Sequence, residues 1–273
     1  MAAGHDVALV VSMPDRRRAR NAPPTPTPVK ERALAHKIAV TERVADVLEA
    51  DVELGVVVAF GRIIRPEVLA RVPLCNLHFS LLPRWRGAAP VERAILAGDS
   101  VTGVCLMALE AGLDTGPVYA SVETPIGDHE TADELRERLG ALGTALLLER
   151  LASGVGGLGV PVPQRGEPTY AEKLRPEELV LDWARPACEL ERVVRVGRAS
   201  TTLRGRRLLV HRARASSTAL PGAEAPGTVV GTAVQAGQGS LELVEVQGEG
   251  RSRQAAAQWL QGARLAPGER LGS

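Results

Sequence analysis

An α/β protein with a parallel sheet, followed by a smaller β-rich domain, is the fold class that the sequence predicts, and three observations carry it. Apolar β-branched runs at 7–11 and 55–60 read as strands buried on both faces. Helical patterns such as 29–36 alternate with them, which is the order that lays helices on a parallel sheet. Beyond a helix at Ala187–Val196, short strands at 203–213, 227–231 and 240–246 are joined by glycine turns, as in a small β-barrel.

The middle of the chain is read element by element. A strand at 74–79 ends in Ser80-Leu81-Leu82-Pro83, at the edge where an open α/β sheet places its ligand crevice. A helix at 88–98 and a strand at 102–110 follow, and just past that strand lies Gly112-Leu113-Asp114-Thr115-Gly116. Thr131 with Glu134 three residues on marks a helix start, and the helix is predicted to run through Leu139, Leu146, Leu147 and Leu151 to Gly154. Glycine and proline without periodicity then mark a linker. The expected domains are 1–154 and 173–273, with 155–172 between them.

Composition bounds the partners and the compartment. The chain has 273 residues, 45% of them apolar, ample for burying cores; its 33 basic and 32 acidic residues nearly cancel, so only local charge can point to nucleic acid. Cys75, Cys105 and Cys188 are widely spaced and odd in number, which predicts reduced thiols. No CxxC or clustered His/Cys spacing suggests a metal site, and no GxGxxG follows a strand. No apolar run approaches the ~20 residues that span a bilayer. A cytoplasmic monomer without membrane contact is expected.

The candidate chemistry lies on the 74–79 strand and the 112–116 turn. Side chains alternate along a strand, so Asn76 and His78 share one face. A histidine beside an apolar run is most often a hydrogen-bonded structural residue. Here two strands converge on one sheet edge, bringing an amide donor, a proton-handling imidazole and the Asp114 carboxylate together. Such a set suits acyl or formyl transfer without a metal.

Two basic segments point to a polyanion. Arg16, Arg17, Arg18 and Arg20 precede prolines at 23, 24, 26 and 28, which predicts an exposed loop. Arg204, Arg206, Arg207, Arg212 and Arg214 cluster without an acidic neighbour in sequence, a field that attracts a phosphate backbone. A basic loop without a partner, and an edge strand made basic against aggregation, are the alternatives.

The runs NLHFSLLPRWRGAAPVERAILAGD and TGVCLMALEAGLDTG closely resemble the methionyl-tRNA formyltransferase family. The similarity extends through PDRRR, TYAEKL, LDWARPACELERVVR, PGTVVG and LAPGERLG, nearly the whole chain. It implies a Rossmann-like formyltransferase domain and a carboxyl-terminal OB-like barrel that contacts tRNA. It further implies 10-formyltetrahydrofolate as donor and initiator methionyl-tRNA as acceptor. Asn76, His78 and Asp114 would be catalytic, Ser80, Leu81, Leu82 and Pro83 would form the folate turn, and Arg16, Arg17, Arg18, Arg20, Arg204, Arg206 and Arg207 would meet tRNA.

The chain departs from that family at three places. It starts at a position matching the family's second strand, so an amino-terminally truncated catalytic domain with exposed strand edges is expected. Phe79 stands where glycine is frequent, and Gly197-Arg198-Ala199-Ser200 replaces a proline-rich stretch. A formyltransferase for a sugar-nucleotide or other small amine, and a catalytically impaired tRNA-binding remnant, are the rival readings.

Overall fold

The computed structural model describes residues 4–17, 23–222, 225–266 and 268–272. They form two compact units, each assembled from separate stretches of chain: Met1–Ala88, Gly103–Glu123 and Leu139–Tyr170 in the first, and Ala89–Thr102, Thr124–Arg138 and Ala171–Ser273 in the second.

The first unit begins with β1 (Leu9–Val11), β2 (Arg16–Arg17), β3 (Pro24–Thr25), α1 (Pro28–Ala35) and β4 (Ala39–Thr41). Helix α1 starts where its sequence dictates: Pro28 occupies the first turn, and the Thr27 hydroxyl accepts the Lys30 amide at 3.2 Å. Then come β5 (Gly55–Val58), α2 (Pro66–Arg71), β6 (Leu74–His78), β7 (Arg86–Gly87), α3 (Pro90–Ala97), β8 (Val101–Ala108) and β9 (Val118–Pro125). Among the described residues β1 pairs only with β4, in parallel. A separate four-stranded sheet runs in the order β5-β6-β8-β9, with β5 parallel and β8 antiparallel to β6, so the sheet is mixed. All five residues of β6 are buried because both its edges are paired.

Two expectations are corrected here. Strand β1 begins at Leu9, leaving Val7 exposed, and Val56 and Val58 of β5 also face outward. The exposed Val56 and Val58 alternate with half-buried residues, so one face of β5 is left uncovered. The proline-rich stretch is not wholly loop: Arg16 and Arg17 pair with Thr25 and Pro24 in a short hairpin, an edge position that tolerates proline. Arg18 and Arg20 lie outside the described residues. Within the stretch read as a linker, Val162 exchanges two backbone hydrogen bonds of 2.8 Å with Val118, and Leu158 is buried.

Helix α4 (Ala132–Leu151) is capped as its Thr131/Glu134 pair predicts, each residue's side chain bonding the other's backbone amide. After β10 (Tyr170–Ala171), α5 (Ala187–Val196) and β11 (Ser200–Leu203), the second unit contains β12 (Arg206–Ser216), β13 (Val229–Val230), β14 (Ala233–Gln235), β15 (Ser240–Gly248), β16 (Gln254–Ala255) and α6 (Ala256–Ala263). Its sheet runs β11-β12-β15-β14-β13, with β16 on β15, and the path does not close into a barrel among the described residues. The apolar face of α5, with Leu190, Val193 and Val194, belongs to the same core as Leu208, Val210, Leu241 and Leu243. The Trp183 indole N–H within it donates to the Thr201 hydroxyl at 3.0 Å, so no polar group is stranded there.

Leu241 is fully buried in that core. Leu241→Ala is expected to destabilise the chain by about 2–5 kcal/mol. A loss of unfolding free energy by denaturant titration below about 0.5 kcal/mol would show that the core is not packed around this residue.

Candidate active site

Strand β6 delivers Asn76 and His78 to the carboxyl end of a central strand, opposite Met107 and Cys105 of β8. Both side chains are buried, at 8% and 5% exposure, yet the Asn76 amide makes no hydrogen bond to the described residues. Buried amides normally find partners. Its two N–H donors are therefore available to a bound group.

His78 is held at both nitrogens. Nε2 lies 2.8 Å from the Trp85 carbonyl, which can only accept, so that nitrogen carries the proton. Nδ1 faces the Asp114 carboxylate at 3.6 Å.

Asp114 sits at φ +49°, a left-handed turn position that aspartate tolerates better than most residues. Its Oδ2 accepts the Gly87 amide at 2.8 Å. Gln164 holds the turn from the other side, donating from Nε2 to the carbonyls of Asp114 and Gly116, each at 2.8 Å. The Gln164 Oε1 accepts from Nε and Nη2 of Arg86, next in chain to Gly87. One carboxamide thus joins the Asp114 turn to the segment that bonds its carboxylate.

Trp85 is also left-handed, at φ +61°. A bulky residue pays for that geometry in steric strain and keeps it only when several contacts fix it. Here its N–H donates to the Thr169 hydroxyl at 2.8 Å, its carbonyl accepts from His78, and the Arg84 guanidinium lies 4.5 Å from its ring centroid. The intervening turn is tight: Ser80 is wholly buried, its hydroxyl donates to the Arg84 carbonyl at 2.6 Å, and the Leu82 amide meets Cys105 Sγ. Leu81, Leu82 and Pro83 are each half-buried, with a cis bond before the proline. They give an apolar wall, while Ser80 shapes the turn from inside.

Burial pushes the Cys75 and Cys105 thiols up to about 11, so both are neutral near pH 7 and unsuited to nucleophilic attack. Among the described residues no group of three His, Cys, Asp or Glu side chains is placed to hold a metal ion, and no helix is long and apolar enough to cross a membrane. The site offers an imidazole facing a carboxylate, with an amide two residues earlier on the same face of the strand.

The structure thus gathers Asn76, His78 and Asp114, with Ser80–Pro83 (residues 80–83) leading away from the same strand end. The basic residues are distributed differently. Arg16, Arg17, Arg206 and Arg207 are exposed, whereas Arg204 is clamped by Glu269, and Arg212 pairs with Glu134 at 3.0 Å. The second cluster therefore has acidic neighbours after all, brought from positions far along the chain. Gln164, Thr169 and Trp85 escaped the sequence reading because their contribution is a tertiary contact; a lone glutamine in a glycine- and proline-rich stretch was the only local sign.

Two family models match the chain: Formyl transferase over residues 2–151, and Formyl transferase, C-terminal domain over residues 173–264. The chain belongs to the formyl transferase family. A relative named methionyl-tRNA formyltransferase from Symbiobacterium thermophilum is 43% identical, across 98% of this chain and 89% of its own length. Among solved structures, methionyl-tRNA formyltransferase from Clostridium thermocellum shares the fold with a TM-score of 0.54 and 21% identity, over 65% of this chain and 80% of its own. HypX from Aquifex aeolicus in complex with tetrahydrofolic acid gives a TM-score of 0.63 at 19% identity, over 87% of this chain; this formyl transferase spans 45% of that longer chain.

Gln164→Ala is expected to lower the turnover of this formyl transferase about ten- to a hundredfold by loosening the Asp114 turn, as small misplacements do. Steady-state formyl transfer with a circular-dichroism melt checks it. Unchanged turnover in a folded variant would remove Gln164 from the positioning of Asp114.

Proposed function

We propose that the chain transfers a formyl group from 10-formyltetrahydrofolate to the α-amino group of methionine esterified to initiator tRNA, as a cytoplasmic monomer serving translation initiation. The observation that supports this reading is the approach of the Asp114 carboxylate to His78 at the end of β6, two residues after the Asn76 amide, which has no hydrogen bond to the described residues. The similarity over nearly the whole chain to relatives named for this reaction supports it.

The donor fits the residues present. A flat pterin requires apolar walls with a few polar groups. The half-buried Leu81, Leu82 and Pro83 offer such walls beside the strand end. When bound, the donor supplies an activated formyl carbon and departs as tetrahydrofolate.

The chain's own residues then have distinct tasks. Negative charge grows on the formyl oxygen as the amine attacks, and the Asn76 N–H groups can be aimed at it. His78 can handle the proton that passes from the attacking amine to the departing folate nitrogen. Asp114, fixed by the Gly87 amide, keeps the ring oriented. No covalent intermediate with the protein is required. Holding two reactants in line supplies much of the acceleration.

For tRNA, the exposed Arg16 and Arg17 of the hairpin and Arg206 and Arg207 of β12 suit phosphate, since guanidinium forks match its oxygens. Arg18 and Arg20 continue the hairpin's basic run in sequence. Arg204 is less suited, being already paired with Glu269.

Formylation of methionyl-tRNA with 10-formyltetrahydrofolate tests the reading. His78→Ala and Asp114→Ala are each expected to cut turnover by about 10²–10⁴, the usual worth of positioned acid–base groups. Near-normal turnover without the imidazole would exclude its proposed task. Replacing Arg16, Arg17, Arg18 and Arg20 together by alanine should flatten the salt dependence of tRNA binding by up to about three units of log–log slope. An unaltered slope would take the hairpin out of the RNA footprint.

A further inference from the structure

A continuous path of hydrogen bonds runs from Thr169 through Trp85 to the His78 ring, all within the first unit. The half-buried Thr169 spends each of its polar groups on the segment after β6. Its N–H donates to the Pro83 carbonyl at 3.2 Å, its hydroxyl accepts the Trp85 N–H at 2.8 Å, and its carbonyl accepts the Arg86 N–H at 2.9 Å.

The last of these bonds reaches the imidazole through a rigid link. The Arg86 N–H and the Trp85 carbonyl belong to one planar trans peptide group, so they point in opposite directions. With the N–H held by Thr169, the carbonyl is aimed the other way, where His78 Nε2 lies at 2.8 Å. The hydroxyl controls the other side of Trp85. It fixes the N–H of that residue, and with it the left-handed φ of +61° that a bulky side chain adopts only under constraint.

The path decides which ring nitrogen carries the proton. A neutral imidazole has one N–H, and two acceptors compete for it: the Trp85 carbonyl at Nε2 and the Asp114 carboxylate at Nδ1. The carbonyl is at hydrogen-bond distance, 2.8 Å, whereas Oδ2 of the carboxylate stands off at 3.6 Å and already accepts the Gly87 amide. The proton therefore stays on Nε2 and the lone pair on Nδ1. In the opposite tautomer Nδ1–H would face Asp114, and the ring would have no basic nitrogen on that side.

We propose that Thr169 is a positioning residue for formyl transfer: through the Trp85–Arg86 peptide it locks His78 as the Nε2–H tautomer, so that Nδ1 takes the proton from the attacking amine. Thr169 can have this role only if His78 handles the proton as in the reading above. The proton leaves the amine nitrogen for Nδ1, then passes from Nδ1 to the departing folate nitrogen. The ring ends the cycle with Nε2–H intact, ready to accept again.

The test combines steady-state kinetics with nitrogen NMR of the full chain carrying isotope-labelled histidine, at a pH where the ring is neutral; the His78 signals are those that vanish in His78→Ala. Wild-type His78 is expected to show a protonated Nε2 and a bare Nδ1. Thr169→Val removes the acceptor and keeps the side chain's shape. It is expected to shift the proton toward Nδ1 and to lower kcat about ten- to a hundredfold, while KM for either substrate changes less than about threefold. Thr169→Ala, a second way of removing the hydroxyl, should do the same. Thr169→Ser should restore the wild-type nitrogen pattern, with kcat within about threefold. A wild-type ring protonated on Nδ1 would overturn the proposal before any variant is made. So would unchanged kcat in either hydroxyl-free variant, a loss confined to KM, or slow turnover with the wild-type nitrogen pattern. If the wild-type chain formylates no methionyl-tRNA, the proposed acceptor fails, and the nitrogen spectra still accept or reject the lock.

Discussion

The hydrogen bond from the Gly87 amide to the Asp114 carboxylate is the constraint on which the candidate active site depends. Asp114 and His78 are far apart in sequence, and nothing local brings them together. The antiparallel register of β6 and β8 sets His78 opposite Cys105, so the turn after β8 returns toward the segment after β6. Gly87 then captures the carboxylate, and Gln164 fixes the carbonyls beneath it. Remove that capture and the left-handed turn at Asp114 loses the contact that compensates its backbone geometry.

The sequence disclosed the ends of this arrangement better than its middle. The alternation of Asn76 and His78, the glycine-flanked Asp114 and the Thr131/Glu134 cap are local patterns, and each was legible. The boundaries of α1, α5 and β6 follow from capping and periodicity in the same way. Gln164 was not legible, because a side chain that bonds two distant carbonyls carries no periodic signal. Strand β9 was also missed, since its alternation of half-buried and exposed residues is interrupted by small polar ones. That each compact unit draws on three separate stretches has no compositional mark either, because composition changes only between α4 and β10.

Charge shows the same division between local and tertiary causes. Counting arginines along β12 gives an uninterrupted positive run, yet Glu269 and Glu134 neutralise two of them through long-range pairs. What survives includes the exposed Arg206 and Arg207 at the start of the strand. Exposed ion pairs of this kind contribute little to stability. Their larger effect is to decide which guanidiniums remain available to a polyanion.

The central claim is that His78 and Asp114 act as one unit, and a double-mutant cycle on kcat/KM for formyl transfer tests it most directly. Groups that work through each other lose most of their effect once either is gone. The account predicts that His78→Ala combined with Asp114→Ala is no slower than His78→Ala alone within about threefold. Losses that multiply across the two sites would contradict it, because the carboxylate would then be acting on something other than the imidazole.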